Sequence, residues 1–189
     1  METPISKARE AVEHTLTHRD LDFTPDDGNR YEVIDGELCV SPFPTPAHQR
    51  VITALVRILG THVLDGKLGE VFAAGLKVVL DEPTGVGPDL VYISAARLGE
   101  LREDGFYGPP DLLVEVVSSR PQLDRFVKFH KYARAGVPHY WIIDPRERRL
   151  DAYRLEAGRY AVDAEVAGSG DFEPALFPGL VVPLRALWS

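Results

Sequence analysis

The amino-acid sequence predicts an α/β domain: a mixed β-sheet flanked by helices, with a β-hairpin towards each end of the chain. Three observations carry that prediction. Asp111-Leu-Leu-Val-Glu-Val-Val is almost continuously apolar, as expected of a central strand covered on both faces. Val51, Ile52, Leu55, Ile58, Leu59 and Val63 recur at helical spacing, which marks one amphipathic helix over residues 47–64. Asp35-Gly36 splits Tyr31-Glu-Val-Ile from Glu37-Leu-Cys-Val and supplies the positive φ angles of a two-residue hairpin turn.

The remaining elements follow in chain order. Residues 5–14 read as a short helix and residues 15–29 as a polar loop, so residues 1–24 form an N-terminal arm before a domain spanning 25–189. Pro46 opens the long helix, and Gly66 and Gly69 end its segment. Residues 70–80 and 88–93 read as strands around a Pro/Gly turn at 83–87. After the central strand, Ser118 or Ser119 can cap a helix that tolerates Pro121 in its first turn and runs to about Ala135. Gly136 and Pro138 stop it. Within it, the side bearing Leu123, Phe126, Val127 and His130 is expected to face the sheet. His139-Tyr-Trp-Ile-Ile-Asp is a further strand. Leu150–Leu155 and Tyr160–Val166 form the C-terminal hairpin, and the Pro-rich tail packs through Phe177, Leu180 and Trp188.

Composition narrows the function classes. The chain of 189 residues fits one domain with a core of its own, and its 44% apolar and 26% charged residues are those of a globular protein. No apolar run is long enough for a membrane helix, and the N-terminus lacks a signal-peptide layout, so a cytoplasmic protein with no membrane partner is expected. The single Cys39 excludes an intrachain disulfide and a cysteine-rich zinc site. His14 and His18 lack the intervening residues of a zinc motif and read as a surface pair. The net charge of −8 argues against tight, nonspecific binding to nucleic acid. Phosphate-binding and nucleophile-elbow motifs are absent.

Two acids stand out against this background. Glu115 interrupts an apolar strand, where an unpaired carboxylate would cost several kcal/mol, so it needs a cation or a donor. Asp89 follows Pro88 at the start of another apolar strand. If those strands are neighbours, both carboxylates can reach one ion, and such oxygen ligands suit Mg²⁺ or Mn²⁺. Asp124, Lys128 and Tyr132 follow one another at i, i+4 and i+8 along one helix face. That spacing equally describes a solvated ion pair, and a lone acid at a strand end is commonly a capping or salt-bridge group.

The ordered blocks Tyr31-Glu-Val-Ile-Asp-Gly-Glu-Leu, Ser41-Pro, His48-Gln, Pro88-Asp-Leu, Pro110-Asp-Leu-Leu-Val-Glu-Val-Val-Ser, Asp124 with Lys128 and Tyr132, and Gly136-Val-Pro-His-Tyr-Trp-Ile-Ile-Asp resemble the Uma-type restriction endonuclease family. This family lies within the PD-(D/E)XK nuclease superfamily, and the resemblance covers about residues 25–185. It implies a restriction-endonuclease-like mixed sheet and a metal-dependent DNA endonuclease that leaves 5′-phosphate and 3′-hydroxyl ends. Asp89 then matches the motif's Asp and Glu115 its second acid. Val117 stands where the superfamily carries a lysine, and the family's displaced lysine matches Lys128 on the following helix. An early Glu corresponds to Glu32 or Glu37, with Glu32 preferred. His48 matches a position that contacts a substrate phosphate or caps the long helix, and Lys131 is a second candidate for substrate contact. Mg²⁺, or Mn²⁺, is the implied cofactor, DNA the partner, and a homodimer a candidate assembly. Two other readings stand beside this one. One is a nucleic-acid-binding or regulatory protein with weak or no cleavage; the other is a partner-binding protein, dimeric through Tyr140, Trp141 and the C-terminal hairpin.

Overall fold

Two six-stranded mixed sheets lie face to face in the computed structural model, which describes residues 15–73, 75–117 and 121–189. The elements are β1 (Arg30–Ile34), β2 (Glu37–Ser41), α1 (Pro46–Asp65), β3 (Gly69–Ala73), β4 (Val78–Asp81), β5 (Thr84–Val86), β6 (Leu90–Ser94), β7 (Leu101–Arg102), β8 (Gly105–Tyr107) and β9 (Leu112–Val116). They continue as α2 (Phe129–Ala135), β10 (His139–Asp144), β11 (Arg149–Glu156), β12 (Arg159–Ala167), β13 (Asp171–Phe172) and β14 (Val182–Pro183). The first sheet runs β2-β1-β5-β4-β8-β7 and the second β12-β11-β10-β9-β6-β3. In the second, β9 and β10 are parallel, while β6 meets β9 antiparallel.

The sequence periodicities explain how the layers cover one another. Alternate residues of β9 point to opposite faces. Leu112, Val114 and Val116 join Leu90, Trp141 and the inner stripe of α1 in one core, closed by Phe172, Phe177 and Leu187 of the tail. Leu113 and Val117 join Val91, Ile142 and residues of the first sheet, Ile34, Val78 and Phe106, in the other. Thr45 caps α1 by accepting a hydrogen bond from the His48 N–H, and Gly136 ends α2 with φ of 86°, a left-handed conformation suited to glycine.

Several expected boundaries shift. The run 70–80 divides into β3 and β4, which belong to different sheets, with Gly75 at φ of 122° in the crossover. Residues 84–86 form a buried strand between β1 and β4, where a turn was expected, because Gly85 lets the chain pass close to His18. His18 is consequently buried, its Nε2 3.6 Å from Glu82, and is no member of a surface pair. The helix expected at 5–14, His14 and the Ser118/Ser119 cap lie outside the described residues.

The largest correction concerns the helix after β9. A π-helical stretch, Leu123–Lys128, leads into α2, and its buried side chains are Asp124 and Lys128, followed by Lys131 and Tyr132 in α2. Of the residues expected to face the sheet, Leu123 packs against the core, whereas Phe126 and Val127 are 62% and 45% exposed and His130 is exposed too. The helix turns its ionic face inward because buried acids of the sheets wait there. Tyr140 and Trp141 are fully enclosed within the chain, so neither ring is free to form a dimer contact. Among the described residues, no helix is long and apolar enough to cross a membrane.

This inverted packing makes a simple prediction. Phe126→Ala should change unfolding free energy by no more than about 0.5 kcal/mol, as an exposed site does. Phe129→Ala, which removes a ring packed against Tyr140, Tyr153 and Tyr160, should cost about 2–4 kcal/mol. Urea unfolding of both variants checks it, and equal losses would contradict the assigned face.

Candidate active site

The antiparallel register of β6 and β9 pairs Leu90 with Val114, so the next rung brings Asp89 opposite Glu115. Directly opposed residues project from the same face, here the one turned towards the first sheet. Their sequence neighbours Leu90, Val114 and Val116 turn to the opposite, apolar face packed on α1, while the two acids face β1 of the first sheet. From β1, Glu32 reaches the same space, and Arg30, two residues earlier, shares its face. His48 arrives from the first turn of α1, and Asp124 and Lys128 from the π-helical stretch. Together they line a small cavity of about 30 Å³, the scale of one water molecule or ion.

The contacts form two linked clusters. Lys128 Nζ lies 2.9 Å from Glu32 Oε2, 3.0 Å from Glu115 Oε1 and 3.9 Å from Asp124 Oδ1. The Tyr132 hydroxyl donates to Glu115 Oε1 at 2.8 Å, and the Gly87 N–H donates to Glu32 Oε1 at 2.9 Å. Asp89 Oδ2 accepts from the Val116 N–H at 2.8 Å and lies 3.0 Å from His48 Nε2. Asp89 Oδ1 is 2.7 Å from an Arg30 nitrogen, an ion pair without an aligned hydrogen bond. Glu32, Asp89, Glu115 and Lys128 are each no more than 2% exposed.

Counting charge shows why the cluster is unusual. Four carboxylates, Glu32, Asp89, Glu115 and Asp124, face two permanent cations, Arg30 and Lys128. Burial raises the Glu115 pKa to about 8, with the neighbouring acids opposing ionisation and Lys128 only partly offsetting it. Asp124 rises to about 6 for the same leading reason. Burial also pushes Asp89 upward, but His48, Arg30 and the Val116 N–H outweigh it and hold its pKa below the usual range. Lys128 loses stability as a cation through burial, yet Glu115 and Glu32 overcompensate and raise its pKa. The lysine is a permanent charge, and the shortfall in positive charge falls on Glu115.

Among the described residues, no three His, Cys, Asp or Glu side chains converge as a ready-made metal cage. The donor set nevertheless fits a hard divalent cation that takes one or two carboxylates and keeps several waters. Asp89 Oδ1 lacks a hydrogen bond, the cavity holds about one ion, and the negative excess favours a cation.

The arrangement brings together Asp89, Glu115, Lys128, Glu32 and His48. It does not bring Lys131, whose Nζ is committed to Asp35 at 2.7 Å and Asp81 at 2.6 Å, clamping α2 to two turns of the first sheet. Glu37, the alternative to Glu32, is exposed on β2. His48 is engaged by Asp89, whereas the cap of α1 is Thr45. Sequence reasoning passed over Arg30, although its two-residue offset from Glu32 places both on one strand face. Asp124 was visible through its spacing to Lys128, and only its burial was hidden.

A family model described as "Uma2: Putative restriction endonuclease" matches residues 18–185. Among solved structures, the chain is similar to one described as a putative nuclease belonging to DUF820 from Anabaena variabilis. The two share 20% identity with a TM-score of 0.73, covering 92% of this chain and 97% of that one. At that identity the likeness establishes the fold. No curated protein matches the chain.

The titration of Glu115 supplies a test. Folded Glu115 keeps its proton to about pH 8, whereas an ordinary glutamate loses it near 4.5, so the folded chain binds the extra proton between those limits. Stability should therefore fall as pH rises across that window in chelator-treated protein. Glu115→Gln should flatten the fall, leaving the variant's thermal midpoint at pH 8 at or above that of the wild type. A wild-type midpoint that rises steadily from pH 5 to 8 would contradict the assigned environment.

Proposed function

The chain belongs to the Uma2 family, and from that premise we propose that it is a metal-dependent endonuclease acting on DNA phosphodiesters. The observation that carries this reading is the opposition of Asp89 and Glu115 on one sheet face, with the Lys128 ammonium inserted from a separate helix. Asp89 and Glu115 would hold Mg²⁺ or Mn²⁺. Such an ion, when bound, supplies Lewis-acid stabilisation at a phosphate oxygen and acidifies water.

The chain's own groups complete the chemistry. Lys128 is buried, protonated and fixed by Glu32 and Glu115, so its ammonium offers an already oriented charge to a phosphate or to the attacking water. Its arrival from a helix explains how Val117, packed in the core between the sheets, can occupy the position where related sites carry lysine. Tyr132 orients Glu115, and His48 with the Val116 N–H orients Asp89 through Oδ2. Arg30, partly exposed, stands between the acids and the surface, placed to meet a phosphate.

A second reading, a nucleic-acid-binding or regulatory protein on the same scaffold, is favoured by the net charge of −8 and by the engagement of both acids with Arg30 and Lys128. Cleavage separates the two. With Mg²⁺ or Mn²⁺ and supercoiled, linear and single-stranded DNA, the wild type should cut while Glu115→Gln should not. Lys128→Ala should lower the rate by at least about a hundredfold, on the scale of losing one transition-state donor. Lys131→Ala should retain most activity per folded molecule. Full cleavage by Lys128→Ala would remove the lysine from the mechanism; no cleavage by wild type with either metal would favour the second reading.

A further inference from the structure

A groove of about 730 Å³ opens beside the acidic cavity, and Arg30, Pro42 and Pro44 line both. Its volume is that of a small-ligand site, for which about 300–1,000 Å³ is usual, whereas a duplex is read over a far broader face. Two aromatic rings border it. Phe43 is 72% exposed, and its ring lies over Gly28, where an added Cβ would come within 1.9 Å of the ring tip. Gly28, at φ of 80°, thus permits the ring to lie against the backbone and present its surface outward. Tyr31 is fixed by its hydroxyl, which donates to Asp27 at 2.7 Å. Asn29 and Gln49 add amide donors and acceptors along the same walls.

Paired cations stand at the two ends of the groove: Lys77, 3.0 Å from Asp22 and 3.8 Å from Asp104, and the partly exposed Arg30, 2.7 Å from Asp89. Past Gln49, the outer face of α1 carries Arg50, Thr53 and Arg57, at i, i+3 and i+7. Among the described residues, neither arginine makes an ion pair or hydrogen bond. These two arginines give that face of α1 a local positive charge, which favours a phosphate backbone there.

We propose that the groove is a subsite for an unpaired nucleotide, and that the protein selects single-stranded or locally opened nucleic acid over intact duplex. The base stacks on Phe43 with its edge towards Asn29 and Gln49, the adjoining phosphate meets Arg30 at the mouth of the acidic cavity, and the strand departs past Arg50 and Arg57. Stacking recognises any base, so this subsite confers preference for strand state without sequence specificity. The inference builds on the nuclease reading, because Arg30 links groove and acids, but binding can be measured without cleavage.

The test is fluorescence anisotropy with a labelled mixed-sequence 20-nucleotide strand and its duplex. It uses wild type in chelator and the Glu115→Gln protein in Mg²⁺. The single strand should bind at least tenfold more tightly than the duplex, and Phe43→Ala should weaken single-strand binding by about tenfold or more. Phe43→Trp should restore it. The Arg50→Gln/Arg57→Gln variant should reduce the slope of log affinity against log salt by about 1–2. Equal or tighter duplex binding, or unchanged single-strand affinity in Phe43→Ala, would overturn the proposal. So would Phe43→Ala dissociating a dimer without altering single-strand affinity, which would assign the groove to a second copy. Single-strand binding without wild-type cleavage would defeat the nuclease reading alone; cleavage with binding indifferent to Phe43 would defeat the subsite alone.

Discussion

Glu115 is a carboxylate at 1% exposure in the middle of an apolar strand, and the structure around it is arranged to make that burial tolerable. Removing a charge from water costs several kcal/mol, which only close partners can offset. Lys128 and Tyr132 both reach its Oε1, and Lys128 in turn holds Glu32 from the opposite sheet. One ammonium thereby ties β9, β1 and the π-helical stretch into a single unit. Lys131 repeats the device one turn away, joining α2 to Asp35 and Asp81. The helix turns Asp124, Lys128 and Lys131 inward beside Phe129 and Tyr132, and its phenylalanine at 126 is left in water.

This packing connects fold to chemistry. The two sheets enclose an apolar core over most of their contact, and the acids occupy the place where that core gives way to an opening. Arg30 and His48 engage Asp89, whereas Lys128 engages Glu115. The compensation is incomplete, since burial and the neighbouring acids still raise the pKa of Glu115 to about 8. A site built in this way favours any added cation, and the proposed catalytic role follows from that imbalance.

Much of this was legible in the sequence. A charged residue inside Leu112-Leu-Val-Glu-Val-Val announces its need for a partner, and the alternation of β9 places Glu115 on the face opposite Val114 and Val116. The Asp35-Gly36 turn, the stripe of α1 and the Gly36, Gly136 and Gly158 positive-φ positions follow from local chemistry. The orientation of the second helix did not. Hydrophobic periodicity assumes that apolar side chains choose the inward face, but at Asp124, Lys128 and Lys131 long-range ion pairs outweigh Phe126 and Val127. Those partners, Glu32, Asp35, Asp81 and Glu115, are scattered over eighty residues of sequence, and no local pattern brings them together. The split of residues 70–80 between two sheets is likewise a tertiary choice, made by what each half pairs with.

The central claim is that an excess of buried carboxylate charge is completed by one divalent cation at Asp89 and Glu115. Calorimetric titration of Mn²⁺ into wild type at pH 7, in two buffers of different ionisation enthalpy, counts both the ions bound and the protons released. Because Glu115 holds its proton to about pH 8 without metal, the account predicts one ion bound with release of close to one proton, and loss of both in Glu115→Gln. Absence of binding, or binding of equal affinity and proton yield in Glu115→Gln, would contradict it.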